Sequence, residues 1–249
     1  MYKIYGLVMG EKDSDAHRLL PNVPVADPKL HINCYMWCIK GEEATVLVDT
    51  GMNAKDAKHG GFVNIKDPVT QLKKIGVDAA SISTVIVSHL HYDHFSAYQL
   101  YPKATFYIQR KDIEFFTGPA IRFPQVRRIA SDMVEVVKLG YEKRICYLDG
   151  DEEILPGIRL VLVGGHSPGL QVVVVKTSKG DVVIGTDTMD LYRNMEEEVA
   201  HPMVDLAQGL LVWDKLKKLA SSPELILPGH DCLIMDRFPN PVEGIAEIA

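Results

Sequence analysis

The residues with the clearest chemical potential form one stretch, Ser88-His89-Leu90-His91-Tyr92-Asp93-His94. It follows the apolar run Ile82 to Val87, which has the length and β-branched content of a buried strand. Imidazole nitrogen and carboxylate oxygen are the donors that borderline divalent ions such as zinc take at about 2 Å. Side chains two apart on an extended segment point the same way, so His89 and His91 can grip one ion together. Asp93 and His94 lie past the bend and can face a second. Three more strand-like runs end in the same manner. Ile158 to Val163 leads into Gly164-Gly165-His166-Ser167-Pro168-Gly169, Asp181 to Ile184 into Gly185-Thr186-Asp187-Thr188, and Leu225 to Leu227 into Pro228-Gly229-His230-Asp231. Glycine beside a ligand, as at Gly165-His166 and Gly229-His230, lets backbone approach closely. A single histidine is usually a packed or surface residue, but four strand ends that all terminate in His or Asp are hard to produce by chance.

The elements that must carry these loops read as strands with intervening helices. Lys3 to Val8, Ile32 to Ile39, Ala44 to Val48, Ala104 to Gln109 and Gln171 to Lys176 have strand character. Asp67 to Ile75 starts at Asp67-Pro68, a helix entry, and Asp205 to Ala220 is amphipathic, with Trp213 on its core face. Pro241 to Ala249 reads as a closing helix. Gly10 to Lys29, broken by Pro21, Pro24 and Pro28, reads as a long loop and a wall of a substrate pocket. A helical insertion spans about 110–144, where Phe115, Phe116, Ile121, Phe123 and Met133 are candidates to line an apolar pocket or to pack as ordinary core. Asp49-Thr50-Gly51, directly after a strand, reads either as support for the neighbouring site or as a simple turn.

Composition sets the outer bounds. The chain has 249 residues, 47% apolar and 24% charged, which suits a globular protein with a core of good size. A net charge of −6 without a basic stripe argues against nucleic-acid binding; Lys73-Lys74 and Lys217-Lys218 read as solvated helix faces. Met1 to Gly10 is too short and broken for a signal peptide, and no uncharged apolar run approaches the roughly 20 residues of a membrane span. Four scattered cysteines, Cys34, Cys38, Cys146 and Cys232, point to free thiols in a reducing, cytoplasmic setting.

With these residues assembled, the sequence resembles the metallo-β-lactamase superfamily, whose motif His-x-His-x-Asp-His is followed by separate His, Asp and His. Here these are His89, His91, Asp93, His94, His166, Asp187 and His230. Within it, Ser88 to His94 and Gly165-His166-Ser167-Pro168-Gly169 are similar to the N-acyl-homoserine lactonase group. The resemblance implies an α+β, four-layer αβ/βα sandwich formed as a single domain over 1–249. It implies two divalent ions, with zinc the leading expectation and iron, manganese or cobalt as alternatives. His89, His91 and His166 would hold one ion, and Asp93, His94 and His230 the other, with Asp187 bridging. Hydroxide held between the ions would open a lactone ring, and Asp93 would also shuttle a proton. The partner implied is a small molecule, neither nucleic acid nor membrane, and a homodimer is one option. Ser167 lacks the strand-to-helix elbow of a serine hydrolase and reads as a turn residue.

One departure marks this chain. The lactonase group carries a tyrosine three residues after the bridging aspartate, where this sequence has Asp190, and the nearest tyrosine is Tyr192. Tyr192 and Asp190 are therefore the candidates to meet the substrate beside Asp93. The alternative reading is a hydrolase of the same fold acting on a cyclic amide, ester or thioester. His17, His31, His59 and His201 are expected on the surface or in loops.

Overall fold

The computed structural model describes all of residues 1–249. The strands are β1 (Lys3–Ser14), β2 (Leu30–Lys40), β3 (Thr45–Val48), β4 (Thr84–Ile86), β5 (Thr105–Gln109) and β6 (Ile145–Leu148), then β7 (Glu152–Leu155), β8 (Ile158–Leu162), β9 (Gln171–Thr177), β10 (Gly180–Thr186), β11 (Ile226–Pro228) and β12 (Ile245–Glu247). They form a seven-stranded sheet in the order β12-β1-β2-β3-β4-β5-β6 and a five-stranded sheet in the order β11-β10-β9-β8-β7. Both sheets are mixed: β3 through β6 are parallel, as are β10 and β11, and the other pairs are antiparallel.

Period-2 alternation decides the layering. On β1 and β2, Ile4, Val8, Tyr35 and Trp37 face the other sheet, where they meet Leu160, Val173 and Ile184. Their neighbours Leu7, Met9, Met36 and Cys38 face outward and are covered by helical residues such as Leu72, Phe116, Val136 and Leu139. On the five-stranded sheet, Val172 and Val174 turn outward beneath Val212, Trp213 and Leu216 of the helix Leu206–Leu219. Helix, sheet, sheet, helix: the four-layer αβ/βα sandwich is present. Strands apolar on both faces, such as Gln171–Thr177, follow from burial between two layers.

Two elements depart from the sequence expectation. β1 runs on to Ser14, with Asp13 opposite His31 and Ser14 opposite Leu30, so only the second half of 10–29 is irregular. Backbone pairing with β2 continues there although the side chains turn polar. The chain end is a strand rather than a helix: Ile245 lies opposite Leu7 and Glu247 opposite Tyr5. Gly244, at φ 77°, reverses the chain, and Ile245, Ala246 and Ile248 are then buried by the free edge of β1. Between β5 and β6 the chain forms helices at Arg110–Thr117, Pro124–Ile129 and Met133–Tyr141, with a short turn of helix at Pro119–Arg122.

Candidate metal centre

All seven sequence-derived donors lie at strand ends along one edge where the two sheets meet. The loop after β4 brings His89, His91, Asp93 and His94; the loops after β8, β10 and β11 bring His166, Asp187 and His230. Except for the partly exposed His166 and Asp93, these residues are buried. The donor atoms of His89, His91, His166 and Asp187 all lie within 4.8 Å of one another, and those of Asp93, His94 and His230 form a second such group. Asp187 stands between them: its Oδ2 is 3.5 Å from His166 Nε2 and 3.4 Å from His230 Nε2, while its Oδ1 is 3.2 Å from His94 Nε2.

The outward-facing ring nitrogens explain the aim of the inward ones. Asn33 C=O, 2.8 Å away, requires a proton on His230 Nδ1. Pro202 C=O does the same for His166 Nδ1 at 3.2 Å. Asp49 Oδ2 accepts from His94 Nδ1 at 2.8 Å and from Ser88 Oγ at 2.9 Å, and Ser88 Oγ in turn stands 3.0 Å from His89 Nδ1. Each of these four rings therefore turns its Nε2 to the interior. Asp49 takes φ 66° and also accepts from Ser88 N at 2.7 Å, so of the two readings of Asp49-Thr50-Gly51 it is support for the site that holds. Gly229 is required for another reason: a Cβ there would collide with Asp187 Oδ1 and lie 3.0 Å from the Thr186 carbonyl carbon.

The residues fit a pair of cations. His94 Nε2 and Asp187 Oδ1 are buried without a hydrogen-bond partner. His89 Nε2 and His166 Nε2 converge on His91 Nδ1 at 2.9 and 3.0 Å, and one proton cannot satisfy three nitrogens. Electrostatics divides the donors. Burial holds His89 well below the usual imidazole range, His91 down to about 3 and His166 down to about 4. Burial also opposes charge on His94 and His230, but there the carboxylates, Asp187 first, outweigh it, raising His94 well above the usual range and His230 to about 9. Burial disfavours the charge on Asp187 too, yet His94 and His230 hold it well below the usual carboxylate range.

His91, Asp93, His166, Asp187 and His230 form the floor of a cavity of about 310 Å³. Its walls include Leu19 and Ile32 from the amino-terminal third, Val126 and Ile129 from the helical segment before β6, and Met203 and Val204. None of Phe115, Phe116, Ile121, Phe123 or Met133 lines it: Phe116 is buried beneath His91, with ring centroids 5.7 Å apart, and Phe123 is exposed. The Pro124–Ile129 helix turns Val126 and Ile129 toward the site instead. Asp190 and Asp93 do line the cavity. Tyr192 does not. Its backbone N–H donates to Asp231 Oδ2 at 2.9 Å, and its ring points into the core between the sheets, 3.7 Å from the Arg237 guanidinium.

Sequence reasoning missed two residues. His201, expected on the surface or in a loop, with its segment a candidate for the pocket rim, is in a loop but buried in the cavity wall, with Nε2 3.0 Å from His166 Nδ1; the acidic run Glu196-Glu197-Glu198 before it argued for a solvated position. Asp112 is fully buried and accepts from Leu90 N at 2.8 Å and Gly169 N at 2.6 Å, tying two ligand loops together. Burial raises its carboxyl to about 6 against these hydrogen bonds. The other three extra histidines are exposed: His17 meets Val23 C=O, His31 pairs with Asp13, and His59 meets Arg128 C=O. Ser167 is buried in its turn, outside the cavity.

Paired sheets with helices outside, and a split His/Asp donor set on one edge, define a metal-dependent hydrolase with a dinuclear centre. The model of the metallo-beta-lactamase superfamily matches residues 28–230, and the chain belongs to that superfamily. An N-acyl homoserine lactonase of Bacillus thuringiensis is 27% identical over 220 residues, covering 80% of this chain and 82% of the relative. One from Bacillus cereus is 29% identical over 219 residues, with the same coverage of both. Among solved structures, a quorum-quenching N-acyl homoserine lactone lactonase superposes with a TM-score of 0.80 at 24% identity, covering 95% of each chain. A dizinc quorum-quenching lactonase superposes at 0.74 and 16% identity, covering 99% of this chain and 94% of its own.

Proposed function

We propose that this protein opens small lactones, with N-acyl homoserine lactones as the first substrate class. The observation that carries the reading is the pair of donor groups sharing Asp187 at the floor of a cavity with apolar walls. Two divalent ions bound there supply Lewis acidity and lower the pKa of water, the chemistry that ester hydrolysis at neutral pH requires. His89, His91 and His166 would hold one, Asp93, His94 and His230 the other, and Asp187 both. Zinc suits the three-imidazole side. The lactonase relatives, and the product complex of a neighbour bearing N-hexanoyl-L-homoserine at its metal centre, support this substrate class.

The chain's own residues then divide the remaining work. Asp93 faces the cavity between His94 and His230, with its carboxylate 4.0 and 3.9 Å from their Nε2 atoms, placed to take a proton from the attacking water and return it to the leaving alkoxide. Leu19, Ile32, Val126 and Ile129 exclude water from an acyl chain. With Tyr192 in the core, Asp190 is the residue that meets the substrate side of the centre. The chain is proposed to act as one domain, since Ile4 and Ile248 share a core, and in a reducing cytoplasm, consistent with its free, buried Cys34 and Cys38.

The test is hydrolysis by metal-replete protein of short- and long-chain acyl-homoserine lactones, an aromatic γ-lactone, a β-lactam and a glutathione thioester. Fastest turnover is expected on the lactones. Turnover confined to the β-lactam or the thioester would replace the lactone reading with that substrate.

A further inference from the structure

Asp190 stands out among the residues around the centre because it is buried there without a hydrogen-bond partner for its carboxylate. It is 8% exposed, and His201 Nε2 stands 3.8 Å away. A buried carboxylate without a partner is costly and is found paired or bound to a metal. Its place is fixed by backbone: Asp190 C=O accepts from His230 N at 3.0 Å, and Met189 C=O accepts from Gly229 N at 3.0 Å, so the segment after Asp187 is zipped to the segment bearing His230. The donor atoms of Asp187, Asp190 and His230 consequently all lie within 4.8 Å of one another, a third group that shares one residue with each of the two already described. Donors about 2.0–2.2 Å from one shared ion are separated by at most about 4.4 Å, close to the spacing of this group. Within the same group, Asp187 Oδ1 is buried and unpartnered.

We infer that Asp190 is an eighth protein ligand of the centre, joining Asp187 and His230 on the second ion and biasing that position toward oxygen-preferring divalent metals such as manganese. The inference rests on the dinuclear reading of the site. It goes beyond that reading because the seven-donor pattern has no carboxylate at this position. The first position keeps three imidazoles and one carboxylate. The second has two imidazoles, His94 and His230, and three carboxylates, Asp93, Asp187 and Asp190. Imidazole-rich sets favour zinc and its neighbours, whereas carboxylate-rich sets suit harder ions. Asp190 and His201 both line the cavity above the centre.

Chelator competition on metal-stripped full-length protein, with Mn²⁺ alone and Zn²⁺ alone, tests this on wild type and on Asp190→Asn, which keeps the shape and removes the charge. The second Mn²⁺ is expected to bind about 10–100-fold more weakly to the variant, a loss at least as large as those seen for groups one step further from a metal. The loss for the second Zn²⁺ is expected to be smaller. Asp190→Glu is expected to regain part of it. Equal Mn²⁺ affinities in wild type and Asp190→Asn would overturn the assignment while leaving the dinuclear reading intact. Fewer than two ions per wild-type chain would overturn both. A crystal structure of Mn²⁺-loaded wild type makes the result independent of variant folding: an Asp190 oxygen about 2.0–2.2 Å from the ion is expected, and an ion contacted only by the other donors would refute it.

Discussion

The two sides of the centre are built on opposite electrostatic plans. On one side, His89, His91 and His166 are kept neutral by burial, and their lone pairs are ready before any ion arrives. On the other, His94 and His230 sit against Asp49, Asp93 and Asp187, which draw protons onto them. The first side therefore needs only an ion of the right size, while the second must exchange protons for its ion. One edge of one fold thus offers two sites of different softness and different pH response, through neighbouring carboxylates alone.

The largest effect expected from breaking this arrangement is at the shared residue. Asp187→Ala, like His91→Ala, should lower kcat/KM by on the order of 10³-fold or more, since several kcal/mol of transition-state stabilisation depend on the ions. Far-ultraviolet circular dichroism should show the fold retained; a variant keeping most of its turnover would rule out the assigned centre. Next comes Asp49→Ala, which removes the anchor of His94 and Ser88 together. It should weaken metal binding about 10–100-fold, measured by chelator competition, with more loss on the His94 side. His201→Ala acts on the neutral side through its contact with His166 Nδ1 at 3.0 Å, and reaches the other side only through Asp190 at 3.8 Å. Because Pro202 C=O still fixes the His166 tautomer, metal affinity should fall less than about 10-fold.

A pH series separates the two plans directly. In chelated protein, His230 has a folded pKa of about 9 against an unfolded value near 6.5. Its stabilising contribution is complete below pH 6.5 and is lost as pH rises to 9, so Tm of the metal-free protein should fall across that window. Apparent metal affinity should rise over the same window, as the competing proton leaves. A flat Tm between those pH values would contradict the charge-based plan. Smallest of all, Tyr192→Phe should change kcat/KM by less than about 2-fold and leave stability level or slightly higher, since it removes a buried hydroxyl that has no partner. A large loss of turnover would return Tyr192 to the active site.

What the sequence revealed follows from where the information is stored. The candidate donors were legible because they follow short apolar strands and a small residue, a pattern contained within about ten positions. Asp112, Asn33 and Pro202 were not, since they act across long separations and two of them act through a backbone carbonyl, which carries no residue signature. The cavity wall escaped as well. Short helices broken at Pro119 and Pro124 have too few turns for periodicity to say which side faces the site, so Val126 and Ile129 were passed over for larger aromatics. Tyr192 was misplaced because proximity in sequence to Asp187 says nothing of direction: the hydrogen bond from its N–H to Asp231 turns the ring away. The end strand Ile245–Glu247 is too short to show alternation, and only the open edge of β1 defines it.

The donors come from both sheets, four from the loop after β4 and three from loops of the five-stranded sheet. Ions bound at that seam act as rivets between halves of the molecule that meet elsewhere mainly through apolar packing. Anything that binds the folded state alone shifts unfolding by mass action, so here the free-metal concentration sets how far the two sheets behave as a single mechanical unit. In metal-poor surroundings the seam is where the molecule should first come apart, and the catalytic edge and the weakest joint are then the same place.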